Sequence, residues 1–148
     1  MQLDSDIAAA LAASANAAVV MPERDDVLGL REYINEKLES LLSNLPTAPH
    51  VDALAFEAVT DDGTTVPLRW YTRAHHKPGS AIVYVHGGGK ICGSVDLYDR
   101  LLRHYVELTG VPFPAMNYRL TPEFHDTIPA EDGFAATQDV RKRRPAGR

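Results

Sequence analysis

Residues 81–89 read Ala-Ile-Val-Tyr-Val-His-Gly-Gly-Gly, a short apolar run that leads directly into a glycine-rich loop. A compact apolar run of this kind is typical of a strand covered on both faces. Three successive glycines adopt positive φ at little cost and carry no Cβ, so consecutive backbone N–H groups can point toward one developing negative charge. The stretch therefore predicts a strand followed by an anion-binding loop, and a flexible glycine-rich connection is the alternative interpretation.

Two helices and a hairpin are predicted before this strand. Apolar residues recur every three or four positions over 3–19 and again over 26–45, where charged residues fall between them. Two runs rich in β-forming residues follow at 51–60 and 66–72. The intervening Asp61-Asp62-Gly63 is a turn signal, so these runs predict a hairpin.

A helix, a strand and a second helix are predicted after the loop. The first helix is capped by Ser94 or Asp96 and ended by Gly110. The strand spans 111–117, although two prolines within it argue against a central position in a sheet. The last helix spans 128–138, beyond which its pattern dissolves. This alternation of helices and strands indicates an α/β fold with an unfinished sheet.

Composition and charge exclude several classes of protein. The 148 residues are 45% hydrophobic and 24% charged, which fits one ordinary globular domain. No apolar run approaches the ~20 residues that cross a bilayer. The acidic N-terminus is unlike that of a secretory signal, and a single cysteine cannot form an internal disulfide. We therefore expect a cytoplasmic protein that does not span a membrane.

The basic residues are concentrated at the C-terminal end. The net charge is −5, but five of the last eight residues are Arg or Lys, which leaves −10 on residues 1–140. An acidic body repels nucleic-acid phosphates, so nucleic acid is not expected as a partner. We interpret 139–148 as a solvated basic tail.

A second motif follows the predicted strand at 111–117. Residues 118–123 read Tyr-Arg-Leu-Thr-Pro-Glu, and Pro-Ala-Glu-Asp follows at 129–132. Together with His86-Gly87-Gly88-Gly89, in this order and spacing, these motifs resemble the hormone-sensitive-lipase-like family of α/β hydrolases, the α/β-hydrolase fold-3 group. The resemblance implies a partial α/β-hydrolase fold in which 1–49 form lid helices and 50–138 form the N-terminal part of the hydrolase domain.

The resemblance implies a carboxylic ester hydrolase, an esterase or lipase, that acts on a small acyl ester without a metal or an organic cofactor. Gly88 and Gly89 would donate the N–H groups of the oxyanion hole, Gly87 would shape the turn, and His86 would anchor it. Lys90 departs from the family, which usually has a large aromatic or apolar residue there, and it places a cation beside the proposed anion site.

The resemblance also assigns structural roles to the second motif. Tyr118, Arg119 and Glu123 would form a structural motif, with Arg119 and Glu123 as a salt bridge that stabilises the fold.

The sequence contains no Gly-x-Ser-x-Gly motif, which family members need for the catalytic serine. No catalytic residue is therefore assigned, the Ser-Asp-His triad is expected to be absent, and the chain resembles the N-terminal half of an enzyme about twice as long. We hypothesise a frameshift or premature stop near Gln138, and we expect the chain to be inactive alone. Translation of the gene past this point in its other two frames tests this hypothesis, because one of those frames should then contain a Gly-Asp-Ser-Ala-Gly-like motif, and its absence from both would count against a frameshift.

Three alternatives remain open at this point. The chain could be a non-catalytic fragment that binds ligands or self-associates through an exposed sheet edge. A thiol-dependent activity could centre on Cys92, although a packing role is favoured for that residue. His75 and His76 could hold a metal, although an exposed polar turn is favoured and no metal site is assigned.

Ser94 is the only serine beside a glycine loop, but it lacks the second glycine of the nucleophile motif and any nearby base.

Overall fold

A computed structural model describes residues 4–15, 21–74 and 79–143. Within these residues the elements in chain order are α1 (Ser5–Ala15), α2 (Val27–Leu42), β1 (Val51–Val59), β2 (Thr65–Arg73), β3 (Tyr84–Val85), α3 (Asp99–Thr109), β4 (Phe113–Met116) and α4 (Ile128–Arg143). The strands form one sheet in the order β1-β2-β4-β3. Neighbours pair antiparallel except for β3 and β4, which are parallel, so the predicted α/β class with a partial mixed sheet is confirmed.

The predicted hairpin is confirmed. β1 and β2 pair along their whole length, from Val51 opposite Arg73 to Val59 opposite Thr65. The Asp62 carboxylate accepts a 2.9 Å hydrogen bond from the Thr64 N–H, which closes the turn between the strands.

Helices α3 and α4 pack on opposite faces of the sheet. One buried cluster joins α3 to β1, β2 and β4 and contains Ala48, Val51, Tyr71, Val95, Leu102, Val106, Phe113 and Ala115. The other joins α4 to the same strands and contains Ala58, Val66, Leu68, Met116, Tyr118, Ala136 and Val140. Successive side chains of a strand point to opposite faces of the sheet, so each of β1, β2 and β4 contributes residues to both clusters.

The helix ends partly match the prediction. The Asp26 side chain caps α2 by accepting a 2.8 Å bond from the Gly29 N–H. Gly110 ends α3 with a φ of 68°, as predicted. Neither predicted cap holds the start of α3, because the Ser94 hydroxyl accepts from the Leu97 N–H in the preceding turn and no side chain caps the helix itself.

Two expectations about the strands are wrong. Ile82 and Val85 are about half exposed, at 48% and 53%, so the run before the glycine loop is not covered on both faces by the described residues. The reason is that β3 pairs only with β4 and forms an edge of the described sheet. The prolines also do not keep β4 out of the middle of the sheet, since it lies between β2 and β3. Pro114 pairs with Trp70 of β2, whereas β3 pairs only with Ala115 and Met116, the two residues that follow Pro114.

The last helix is longer than predicted. α4 begins at Ile128 as expected but continues past Gln138 to Arg143, and the Val140 side chain is buried in the core. Apolar burial at Val140 maintains the helix where its sequence pattern weakens. None of the helices in the described part of the chain is long and apolar enough to cross a bilayer.

Candidate active site

The glycine loop follows β3 and has an unusual backbone. The φ angles are 129° at Gly88, 60° at Gly89 and 66° at Lys90, so three successive residues are in a region that L side chains rarely adopt. The Gly88 carbonyl accepts bonds from the N–H groups of Ile91, at 3.0 Å, and Cys92, at 3.2 Å. A Cβ on Gly88 would lie 2.1 Å from the Cys92 carbonyl oxygen, so only glycine fits at this position.

The N–H groups of Gly88 and Gly89 are not used by the loop itself. Neither the Gly88 nor the Gly89 N–H donates a hydrogen bond to any residue that the structure describes. Gly89 is exposed and Gly88 half-buried. Two adjacent backbone donors are thus available to an oxygen of a ligand.

His86 holds the start of the loop in the core. Its ring stacks on Tyr118, with centroids 4.3 Å apart, and faces Tyr98 at 6.0 Å. The Tyr118 hydroxyl donates a 3.0 Å bond to the His86 carbonyl, and the His86 Nδ1 lies 3.0 Å from the Gly87 carbonyl oxygen. Burial lowers the pKa of His86, which keeps the imidazole neutral near pH 7. The packing of the neutral ring against Tyr98 and Tyr118 fixes the start of the loop.

A cavity of about 580 Å³ lies beside the loop. Residues 85–90 and Tyr118 line one side, and one face of α4, which includes Gly133 and Phe134, lines the other. Lys90 is the only charged residue that lines this cavity, because the imidazole of His86 is neutral. The free N–H groups therefore border a largely apolar space with one cation at its edge.

Arg31 connects α2 to this loop. Its Nε donates to the Ile91 carbonyl at 2.6 Å, and its Nη2 donates to the Thr121 carbonyl at 2.8 Å. Both terminal nitrogens also bind the Glu123 carboxylate, at 2.7 and 2.8 Å. One guanidinium thus ties α2 to the glycine loop and to the segment after β4.

Asn35, one turn further along α2, makes a second connection. Its side-chain oxygen accepts a 2.9 Å bond from the Gly93 N–H, so α2 contacts the glycine loop on both sides of Cys92. The sequence pattern places Arg31 only as a charged residue between apolar positions of the helix. A polar pair spaced i, i+4 on an amphipathic helix was the available signal.

The expected salt bridge between Arg119 and Glu123 is wrong. Glu123 pairs with Arg31, whereas Arg119 pairs with Asp132 at 2.6 Å and with Asp62 at 2.9 Å. The cause is the position of α4, whose first turns bring the buried Asp132 carboxylate against the backbone N–H and the guanidinium of Arg119. These two carboxylates raise the pKa of Arg119 further above its usual value.

Comparisons with known proteins agree with the fold. A family model described as alpha/beta hydrolase fold matches residues 82–147. The chain is 32% identical over 147 residues to ethyl acetate hydrolase of Pseudomonas putida, and 39% identical over 113 residues to arylacetamide deacetylase of Oryctolagus cuniculus. The chain belongs to the α/β-hydrolase fold-3 family. The matched range includes residues 139–147, which composition alone predicts to be a solvated tail.

Solved structures support the same assignment. An esterase of the archaeon Pyrobaculum calidifontis superposes over 97% of this chain and 45% of its own, with a TM-score of 0.76 and 26% identity. A bacterial heroin esterase superposes over 95% of this chain and 43% of its own, with a TM-score of 0.77 and 25% identity. The two sequence relatives are matched over 44% and 28% of their lengths, against 92% and 71% of this chain. This α/β-hydrolase chain thus spans less than half the length of each relative.

Two candidate nucleophiles of this α/β hydrolase lie beside the loop. Burial raises the pKa of Cys92, although the positive charge of Arg31 opposes that shift, and the thiol donates to the Gly88 carbonyl at 3.2 Å. A buried, protonated thiol is the opposite of what a nucleophilic cysteine needs. The Ser94 hydroxyl accepts from a backbone N–H. The structure therefore favours a packing role for Cys92 and a turn role for Ser94.

Within residues 4–15, 21–74 and 79–143, no group of three His, Cys, Asp or Glu residues could hold a metal ion. His75 and His76 lie outside the described residues.

Replacing Arg31 with alanine is expected to loosen α2 from the hydrolase body. The change removes bonds to two carbonyls and to Glu123, and we expect a loss of about 2 kcal/mol, since one partner is partly exposed. Amide hydrogen exchange should accelerate in α2 and in residues 91–93 more than in the β1–β2 hairpin. Lys37→Ala on the same helix is the control and should cost less than about 0.5 kcal/mol. Equal effects of the two changes would contradict this role for Arg31.

The same ion pair predicts a dependence of stability on pH. Arg31 lowers the pKa of Glu123 to about 2. Because the folded pKa is below the unfolded value, this stabilisation is fully present above about pH 5 and is lost as the pH falls through about 2. Urea unfolding between pH 6 and pH 2.5 should show a smaller acid-induced loss in Glu123→Gln than in the unchanged chain. Parallel pH curves would argue against the ion pair.

Proposed function

We propose that this chain supplies the oxyanion hole of a carboxylic ester hydrolase and that the Gly88 and Gly89 N–H groups bind the ester carbonyl oxygen. The observation that supports the proposal most directly is that these two adjacent donors have no acceptor among the described residues. The loop is also held from three sides, by His86 in the core, by Arg31 and by Asn35. Preorganised donors of this kind are what acyl transfer requires.

The chemistry would proceed as follows. When a nucleophile attacks the ester carbonyl carbon, its electron pair forms the new bond, and the π electrons of the carbonyl move onto the oxygen. Two N–H donors about 2.7–3.1 Å from that oxygen stabilise the resulting oxyanion, and loss of one such donor typically lowers kcat by about 10²–10³. The intermediate then expels the alkoxide, which takes up a proton and leaves as the alcohol.

We infer that the attacking group is not among these 148 residues, since they contain no Gly-x-Ser-x-Gly motif and the Cys92 thiol is buried. The chain alone is then expected to bind esters without hydrolysing them. Incubation with p-nitrophenyl acetate should release nitrophenol no faster than buffer does. Release that disappears in Cys92→Ala would establish the thiol-dependent alternative, and release that disappears in Ser94→Ala would identify Ser94 as the nucleophile.

Binding at the oxyanion hole is tested by NMR titration with ethyl methylphosphonate, a tetrahedral anion that resembles the intermediate. We expect the amide resonances of Gly88 and Gly89 to shift in a saturable way. The Gly63 amide, which donates to Thr60 in the hairpin turn, is the internal control and should not move. Absence of saturable shifts at Gly88 and Gly89 would overturn the proposed oxyanion hole.

A second candidate property is self-association through the edge of the sheet. Val85 and Ile82 expose apolar side chains beside β3, which pairs with one strand only among the described residues. Open apolar edges favour pairing with another copy. Sedimentation should show oligomers that Val85→Lys reduces, whereas Leu108→Lys, on the exposed side of α3, should leave them unchanged. A monomer at high concentration would contradict the proposal.

A further inference from the structure

We propose that Lys90 makes this site selective for esters that carry a carboxylate. The inference rests on the proposed oxyanion hole and names the class of substrate that the hole would receive. Lys90 directly follows Gly88 and Gly89, and it lines the same cavity. A ligand whose carbonyl oxygen binds the two free N–H groups therefore lies within the surroundings of this side chain.

The backbone of Lys90 is fixed in place. Its carbonyl accepts a 2.8 Å bond from the Thr121 N–H, and its φ of 66° lies in the left-handed region, which costs a residue with a Cβ about 1–2 kcal/mol. A strained position next to a ligand-binding loop is a reason to look for a functional role of the side chain. The long aliphatic stem lets the ammonium sample positions around the mouth of the cavity.

The ammonium of Lys90 has no carboxylate partner among the residues that the structure describes. The acidic side chain of the adjoining segment, Glu123, is already bound at two oxygens by Arg31. The other residues that line the cavity carry no charge. A carboxylate on the ligand would therefore meet an unpaired cation at the edge of a largely apolar space.

The geometry sets the chemical class of the ligand. The oxyanion hole takes the ester carbonyl oxygen, and Lys90 takes a second, negatively charged group on the same molecule. A monoester of a short dicarboxylic acid satisfies both requirements, whereas the corresponding diester satisfies only the first. Because the ammonium is exposed, the preference is modest and falls as ionic strength rises.

The test compares monomethyl succinate with dimethyl succinate, using the full chain and the Gly88 and Gly89 amide shifts as the reporter of binding. At low salt we expect the dissociation constant of the monoester to be about fivefold lower. The ratio should approach one in Lys90→Gln and in 0.5 M salt, and it should invert in Lys90→Glu. Lys142→Gln, which removes an exposed lysine of α4, is the matched control and should keep the ratio of the unchanged chain.

The outcomes separate this inference from the proposed function. If both esters shift the Gly88 and Gly89 amides but bind equally, or if Lys90→Gln weakens both esters by the same factor, the inferred selectivity is wrong and the oxyanion hole stands. If neither ester shifts these amides, the oxyanion hole itself is wrong, and the role of Lys90 falls with it. Circular dichroism of each variant verifies that the fold is retained.

Discussion

Replacing Asp132 with alanine is expected to destabilise the fold by about 3 kcal/mol, since truncating one member of a buried ion pair leaves the other charge without a partner. Asp132 is fully buried and binds the Arg119 backbone N–H at 2.8 Å and the guanidinium at 2.6 Å. The Arg119 side chain is only 14% exposed and would keep its ion pair with Asp62 and a 3.2 Å bond to the Thr64 hydroxyl. We place the loss at the lower end of the usual range for that reason.

Urea unfolding measures this loss, and α4 itself offers the control. Asp139 pairs with Arg143 one turn apart, but both side chains are partly exposed. Asp139→Ala should therefore cost less than about 1 kcal/mol. If the two aspartate variants unfold at the same urea concentration, the buried pair is not a major source of stability in this fold.

Gly88→Ala is expected to disrupt the glycine loop at a cost of about 3 kcal/mol. The added Cβ would overlap the backbone carbonyl of Cys92, which cannot move like the end of a side chain, and a φ of 129° is open almost only to glycine. We expect lower stability, altered amide resonances from Gly87 to Gly93, and loss of phosphonate binding.

Gly89→Ala separates overlap from backbone strain. Nothing lies within 4 Å of a Cβ built on Gly89, so this variant meets only the cost of a φ of 60° for a residue with a Cβ, about 1–2 kcal/mol. Its loop resonances should resemble those of the unchanged chain. A Gly88→Ala variant as stable as Gly89→Ala would show that the loop can rearrange around the added methyl group.

The sequence predicts the local elements well because their signals are local. The i, i+3/i+4 apolar spacing of α2, the Asp-Asp-Gly turn and Gly110 each determine a structure within a few residues, and the structure contains all three. The glycine loop was identified in the same way, from consecutive residues. Spacing alone could not place the charged partners, because they meet through the tertiary fold.

Arg31 and Glu123 illustrate this limit, since 92 positions separate them in sequence. The family resemblance implies a pair between Arg119 and Glu123, but α4 offers Asp132 to Arg119 instead, and Glu123 binds Arg31. The run at 81–85 is likewise more exposed than its apolar composition predicts. An apolar composition shows what a strand can bury, whereas its exposure depends on which strands flank it.

The attachment of α2 through Arg31 has a consequence for protein engineering. A chimera that grafts the N-terminal helices of a relative onto this hydrolase body would bring a new residue to the position of Arg31. Unless that residue is also a cation that reaches the Glu123 carboxylate, Glu123 would lose its ion pair, and the Ile91 and Thr121 carbonyls would lose their donor. Such grafts should therefore exchange residue 31 and residue 123 together, as one transferable unit.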